Sequence, residues 1–263
     1  KWFGIQAVSG DNGKIMYNDV VRWVYDTLYK MNVECDFLFP ESENMSDYKM
    51  IVVPALYAAP DELLRRLDRF VRDGGTLVTT FKTGFTNENV KVQPHILREC
   101  MGYRYDQFTF PVDTGLQGEI AAEDGSDEAE VFMELLIPEG AEVLASYDHY
   151  NWNRYAAVTR NQCEKGYAYH IGCMTGEGVL KKVFLRALED TGIQRETECG
   201  FPLIMRKGVN DLGKTVRFYL NYSGQEQEEI PVCAGGRDLL TGEKKMKGEL
   251  ITVPAWGLKI IEE

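Results

Sequence analysis

Three histidines, His95, His149 and His170, are the only near-neutral bases in the chain, so a nucleophilic triad would have to use one of them. A hydrolase of the α/β kind carries its Ser or Cys on a tight turn between a strand and a helix, as in Gly-x-Ser-x-Gly. Neither that motif nor Gly-x-Cys-x-Gly occurs. After the strand-like run Thr76–Thr80 the chain reads Phe81-Lys82-Thr83-Gly84-Phe85, with no cysteine. His95 is expected in the first turn of a helix and His170 in a strand. The metal motifs His-x-x-x-His and His-Glu-x-x-His are absent, and Asp148-His149 reads as two loop residues. Gly10-Asp11-Asn12-Gly13 is the one glycine-rich stretch ahead of a helix. It lacks Gly-x-Gly-x-x-Gly spacing, and Asp11 would repel a phosphate, so it too reads as a loop.

Glycoside hydrolysis needs two carboxylates flanking a bond. With 41 Asp and Glu, proximity in sequence identifies no such pair. Glu123, Asp124, Asp127, Glu128 and Glu130 read as a solvated charge run. Two segments could meet a ligand. Tyr147-Asp-His-Tyr-Asn-Trp152 could stack on a sugar ring or fill an interface. Residues 83–89 follow a strand's C-terminal end, where open α/β sheets gather ligands, yet could equally be a capped loop or a subunit contact. No residue is therefore assigned a catalytic, cofactor-binding or metal-binding role, and no cofactor is expected.

Composition narrows the partners. The charge balance of 29 Lys and Arg against 41 Asp and Glu, −12 in all, disfavours nucleic acid and anionic membrane surfaces and suits a neutral ligand or a protein partner. No apolar run approaches the roughly 18 residues of a membrane span. Lys1-Trp2-Phe3 opens neither with an initiator Met nor with a signal peptide, and reads as the middle of something longer. Cys35, Cys100, Cys163, Cys173, Cys199 and Cys233 are scattered without a Cys-x-x-Cys. This predicts free thiols, several of them buried, in a reducing, cytoplasmic compartment.

The elements that would position these residues alternate over the first two thirds. Asn18-Asp19 predicts an N-cap for a helix over 20–30, whose Val20, Val21, Val24, Leu28 and Met31 share a face. Residues 33–39 alternate with period two and predict a strand. Residues 48–53 predict a strand buried on both faces and stopped by Pro54. Pro60-Asp61-Glu62 opens a helix that Asp73-Gly74-Gly75 closes, and Thr76–Thr80 follows as a strand. A mainly parallel sheet is expected from this alternation. A short helix runs from Gln93-Pro94 to about Met101, and residues 113–129 read as an exposed excursion. Strands are predicted at 131–137, 143–147, 156–160 and 168–172, then an amphipathic helix over Glu177–Thr191. After Gly192 only short alternating runs remain, at 203–206, 215–221, 229–232, 249–253 and 257–261. They predict an antiparallel β module.

Several stretches, taken in order, resemble the C-terminal half of a glycoside hydrolase family 42 β-galactosidase. They are Tyr48-Lys-Met-Ile-Val-Val-Pro-Ala-Leu-Tyr57, Leu67 through Gly75-Thr76-Leu77-Val78, Thr83-Gly-Phe-Thr-Asn-Glu-Asn-Val90, Tyr155-Ala-Ala-Val-Thr-Arg-Asn161, Lys165-Gly166, Tyr169-His-Ile-Gly172, Asp238-Leu-Leu-Thr-Gly-Glu243 and Val253-Pro-Ala-Trp-Gly257. The resemblance implies a flavodoxin- or class I amidotransferase-like three-layer α/β domain, residues 1–197, that forms homotrimers. A small antiparallel β domain, residues 198–263, follows. The family's two catalytic glutamates lie in an N-terminal (β/α)8 barrel that nothing here resembles. The resemblance thus implies a non-catalytic, oligomerising and accessory portion of an enzyme that hydrolyses terminal β-D-galactosides. A free-standing amidotransferase-like hydrolase or ligand-binding domain is the alternative. By the family's register the first strand of the sheet precedes residue 1, whereas the residues themselves allow Phe3 to Val8 to be that strand.

Overall fold

The computed structural model describes residues 15–92, 95–121 and 127–263. The candidate strand at 3–8, the Gly10–Gly13 turn, Gln93-Pro94, Glu123 and Asp124 lie outside the described residues. The chain divides into two units. One holds 1–24 and 37–193, the other 25–36 and 194–263.

The first unit is built on a nine-stranded mixed sheet with helices. Helix α1, Tyr17–Lys30, of which only 17–24 belong to this unit, begins earlier than the sequence predicts: Asp19 is its third residue, and its carboxylate accepts the Met16 N–H at 2.8 Å. That is the returning half of a capping box, so Asp19 caps from inside the helix. Strand β1, Met50–Val53, leads through Pro60 at the N-cap into α2, Asp61–Arg72, and then β2, Thr76–Thr80. Of β1 only Ile51 is buried, so this strand is not covered on both faces as expected. Leu64, Leu67 and Val71 of α2 share a core cluster with Leu77. Short helix α3, Arg98–Met101, ends on Gly102 in the left-handed conformation.

Next come β3, Tyr103–Thr109, β4, Gly115–Gln117, β5, Glu130–Pro138, β6, Glu142–Asp148, and β7, Ala156–Cys163. The unit closes with β8, Gly166–Ile171, β9, Cys173–Met174, and α4, Glu177–Thr191. The central order is β1-β2-β8-β7-β5-β3. Only β1, β2 and β8 run parallel; the remaining described pairs are antiparallel. The expectation of a mainly parallel sheet therefore fails. Cys163 pairs with Gly166, leaving only Glu164-Lys165 to turn the chain, and a parallel crossover needs about a dozen residues.

Two further expectations fail. Residues 33–39 join no strand among the described residues, and Phe37 and Phe39 are 67% and 73% exposed, so alternation there meets no ladder partner. Residues 113–121 are not an exposed excursion: β4 pairs with β6, and Leu116 and Ile120 are buried.

The second unit carries one sheet ordered β10-β11-β16-β13-β14 and a β12-β15 pair, all antiparallel. The strands are Leu203–Val209, Thr215–Asn221, Gln227–Pro231, Gly236–Asp238, Lys244–Lys245, Leu250–Val253 and Leu258–Glu262, β10 to β16 in order. Asn32 stitches this unit together. Its amide donates to the carbonyls of Cys199 (2.9 Å) and Leu203 (3.1 Å), and its Oδ1 accepts the Met205 N–H at 2.7 Å. Asp238 is fully buried. Burial pushes its carboxyl up, but the Leu240 and Thr241 N–H groups and Lys259 outweigh that and hold it below the ordinary range.

Among the described glycines of the first unit, the closest backbone approach is at Gly166, where a Cβ would overlap the carbonyl oxygens of Gly75 and Val71. Backbone cannot retreat as a side chain can. Gly166→Ala should cost on the order of 2 kcal/mol, read as a lowered midpoint in thermal unfolding; an unchanged midpoint would show that the turn before β2 moves freely.

Candidate functional site

The end of β2 is where an α/β hydrolase would place its nucleophile. Here Lys82 occupies a strained backbone position, φ +62°, with its side chain buried and its ammonium nitrogen 4.4 Å from the Phe132 ring centre. Its backbone N–H is taken by Glu134 Oε1 at 2.6 Å. The other carboxylate oxygen lies 2.5 Å from His170 Nε2, and His170 Nδ1 lies 2.7 Å from the Thr79 hydroxyl, which also reaches the Tyr169 carbonyl at 3.2 Å.

Thr79, His170 and Glu134 thus form a row of hydroxyl, imidazole and carboxylate, the same order of groups that activates a nucleophile. Each is buried. The hydroxyl faces protein rather than a cleft, and the backbone N–H that could have faced a ligand is already bonded. The arrangement satisfies buried polar groups and holds the turn.

Aromatic rings lead outward from this row. Tyr103 lies 4.8 Å from His170 between ring centres, His95 sits 5.2 and 4.8 Å from Tyr103 and Tyr105, and Phe85 meets Tyr105 edge-on at 5.5 Å. Phe85 then meets Phe108 at 4.7 Å; Phe108 and Phe110 both reach Phe132. At the outer end Phe108 and Phe110 are 46% and 48% exposed. The loop that carries Phe85 also presents Val90 and Val92, both exposed.

Of the residues singled out from sequence, the structure brings His95 and His170 to the same Tyr103 ring. His170 is in β8, as expected, but in the buried row. His95 precedes α3 and lies among tyrosines. Asp148 ends β6 and is exposed, and the His149 ring lies against Tyr150 on the surface. Of residues 83–89, Thr83 and Thr86 are buried, and Asn87 accepts backbone N–H groups of its own loop at 3.0 Å, which makes this a capped loop. Among the described residues, no group of three or more Asp, Glu, His or Cys could hold a metal ion. Glu134 was missed. A lone acid inside the apolar run Val131–Ile137 is the signal that could have found it.

A profile for the β-galactosidase trimerisation domain matches residues 1–194, and one for the β-galactosidase C-terminal domain matches 205–263. The chain belongs to this family of β-galactosidase domains. It is similar to β-galactosidase LacA of Lactobacillus acidophilus, 26% identical over 99% of this chain but 39% of that protein. It is also similar to BgaB of a Geobacillus species, 31% identical over 69% of this chain and 27% of that protein. The crystal structure of a Bacillus circulans β-galactosidase superposes on all of this chain and 40% of its own, with a TM-score of 0.85 at 26% identity. The chain therefore spans about two fifths of the length of LacA and of the Bacillus circulans enzyme, and the match to BgaB about a quarter of that protein. Its domains are the non-catalytic trimerisation and C-terminal parts of family 42 β-galactosidases.

His95 gives a pH test of the aromatic core. Burial, then neighbouring His170 and Arg98, pull its pKa from 6.5 down to about 3. The unfolded chain binds this proton more readily, so stability is full above about pH 6.5 and declines as pH falls toward 3, by at most about 1.4 kcal/mol per pH unit. Replacing His95 with Phe removes the titration. Chemical denaturation at pH 7 and pH 4.5 should show the variant losing less stability than the parent; parallel losses would refute this role.

Proposed function

We propose that this chain is the oligomerising and accessory portion of a β-galactosidase that hydrolyses terminal β-D-galactosides. The bond-breaking groups would lie elsewhere in that enzyme. The observation that carries the reading is the exposed Phe108–Phe110 edge above a polar row already satisfied within the protein. Such a surface gains by being covered, and the buried row offers no reacting atom to a substrate. That the relatives are β-galactosidases supports the substrate class, and the trimerisation-domain match supports self-association. No observation favours a free-standing amidotransferase-like enzyme.

Finer points follow from the same reading. Residues 1–197 would be the trimer-forming domain and 198–263 the accessory β domain. The parallel strands β1, β2 and β8 support kinship with flavodoxin- or amidotransferase-like three-layer folds. Six free thiols support a reducing, cytoplasmic setting. No helix among the described residues is long and apolar enough to cross a membrane.

Light scattering on the 263-residue chain should give three times the monomer mass. Replacing Phe108 and Phe110 together with Glu should return it to monomer while leaving the circular dichroism unchanged. A strict monomer at high micromolar concentration, or a trimer untouched by the double substitution, would overturn the assignment of that face. The chain alone should not turn over a chromogenic β-galactoside, and measurable hydrolysis by it would overturn the accessory reading.

A further inference from the structure

We propose that the loop joining β6 to β7, residues 149–155, is a stacking platform for a neutral hexopyranoside of the galactose type. The His149 ring meets two others there. Its centre lies 4.4 Å from that of Tyr150, tilted by 32°, and 6.1 Å from that of Trp152, nearly parallel at 18°. Tyr150 is 83% exposed and so offers an open aromatic ring to solvent. Scattered exposed rings are ordinary on protein surfaces. Here the exposed Tyr150 is held against the half-buried His149, which in turn meets the half-buried Trp152 on the same seven-residue loop.

The loop is also fixed before any ligand arrives. Trp152 and Asn153 N–H both donate to the His149 carbonyl, at 3.0 and 2.9 Å, and Tyr155 N–H donates to the Trp152 carbonyl at 2.9 Å. Asn151 N–H donates to His149 Nδ1 at 3.2 Å, which holds the central imidazole in place. At the base, the buried Tyr155 donates its hydroxyl to Asp106 and accepts Arg154 Nη2 at 2.8 Å. A rigid ring face loses little entropy on binding, which is what a weak, stacking ligand requires.

The chemistry around the rings selects a sugar over other flat ligands. Asp148, Asn151 and Asn153 are exposed neighbours that offer carboxylate and amide groups to hydroxyls. A chain of net charge −12 repels anions such as nucleotides but is indifferent to a neutral glycoside. An axial 4-hydroxyl leaves the C–H groups at positions 3, 4 and 5 of galactose on one face, and that apolar face is what an exposed tyrosine can bury. The choice of galactose over other hexoses rests on the β-galactosidase reading above; the stacking site rests on the loop alone.

Saturation-transfer NMR on the full chain with methyl β-D-galactopyranoside, with Trp fluorescence read alongside, tests this. Transfer to the C3–C5 protons is expected. Tyr150→Ala should weaken binding about tenfold, whereas Tyr150→Trp should keep it, which a purely structural role would not require. Light scattering on the same samples separates the two readings, since loss of sugar binding in Tyr150→Ala should leave the oligomeric state unchanged. No transfer, transfer equal in Tyr150→Ala, equal binding of methyl β-D-glucopyranoside, or a Tyr150→Ala protein that changes its assembly would each overturn the proposal.

Discussion

A carboxylate with no access to water governs the centre of the first unit. Glu134 sits in β5 between apolar neighbours, and an unpaired charge there would cost several kcal/mol. The surroundings are arranged to avoid that cost. Lys82 takes a left-handed backbone turn that brings its N–H onto one oxygen, while β8 brings His170 to the other. Thr79 then fixes the far side of the imidazole. Three strands, β2, β5 and β8, are thereby tied through side chains, and β5 is joined in this way to a strand from which β7 separates it in the ladder. The strained turn at Lys82 is held by the carboxylate, and the turn in turn sets where Phe81 and Phe85 stand. The aromatic series that ends at Phe110 depends on the same acid.

The two units reach order by different means. In the first, helices bury whole apolar faces: α4 covers Val179, Leu180, Val183, Phe184, Ala187 and Leu188. The second has strands of two to seven residues and a small core around Tyr219, Val232 and Val253. A core that small leaves loops to be fixed by side chains bonding to backbone. Asn32 secures the start of β10, Asp238 closes the turn before Gly242, and Asn221 donates to the carbonyls of Gln225, Val253 and Pro254. This explains why Asp238-Leu-Leu-Thr-Gly-Glu243 and Val253-Pro-Ala-Trp-Gly257 stand out as motifs. Each is one half of such a contact.

Local signals made some elements readable and left others hidden. Helix α4 falls on the predicted residues because Gly176 and Gly192 bound it, the latter at φ +64°. Strand β11 is also matched residue for residue, since its alternation meets partners on both sides. Residues 33–39 show the limit: the same alternation without a partner yields no strand. The parallel-sheet expectation overlooks that the strands read at 156–160 and 168–172 leave only residues 161–167 between them, already too few for a parallel crossover, and the structure narrows the turn to Glu164-Lys165. Glu134 and its row were hidden for a different reason. Thr79, Lys82, Glu134 and His170 are separated by up to ninety-one positions, and only the sheet order makes them neighbours.

Charge explains where exposed apolar surface is tolerated. At −12, copies of this chain repel one another over most approaches, and only a face poor in carboxylates can be brought close. Along Phe85 to Val92 the charges are Glu88 and Lys91, which offset each other, and along Tyr105 to Val112 only Asp106 is charged. Asp106 is itself occupied, accepting the Tyr155 hydroxyl, with Arg104 and Arg154 close by. The aromatic edge is thus also the electrically quiet edge. An exposed apolar patch ringed by like charge would stay solvated. One framed by compensated charge can lose its water to a second protein surface without bringing carboxylates into contact, and the buried row behind it keeps the rings from collapsing inward instead.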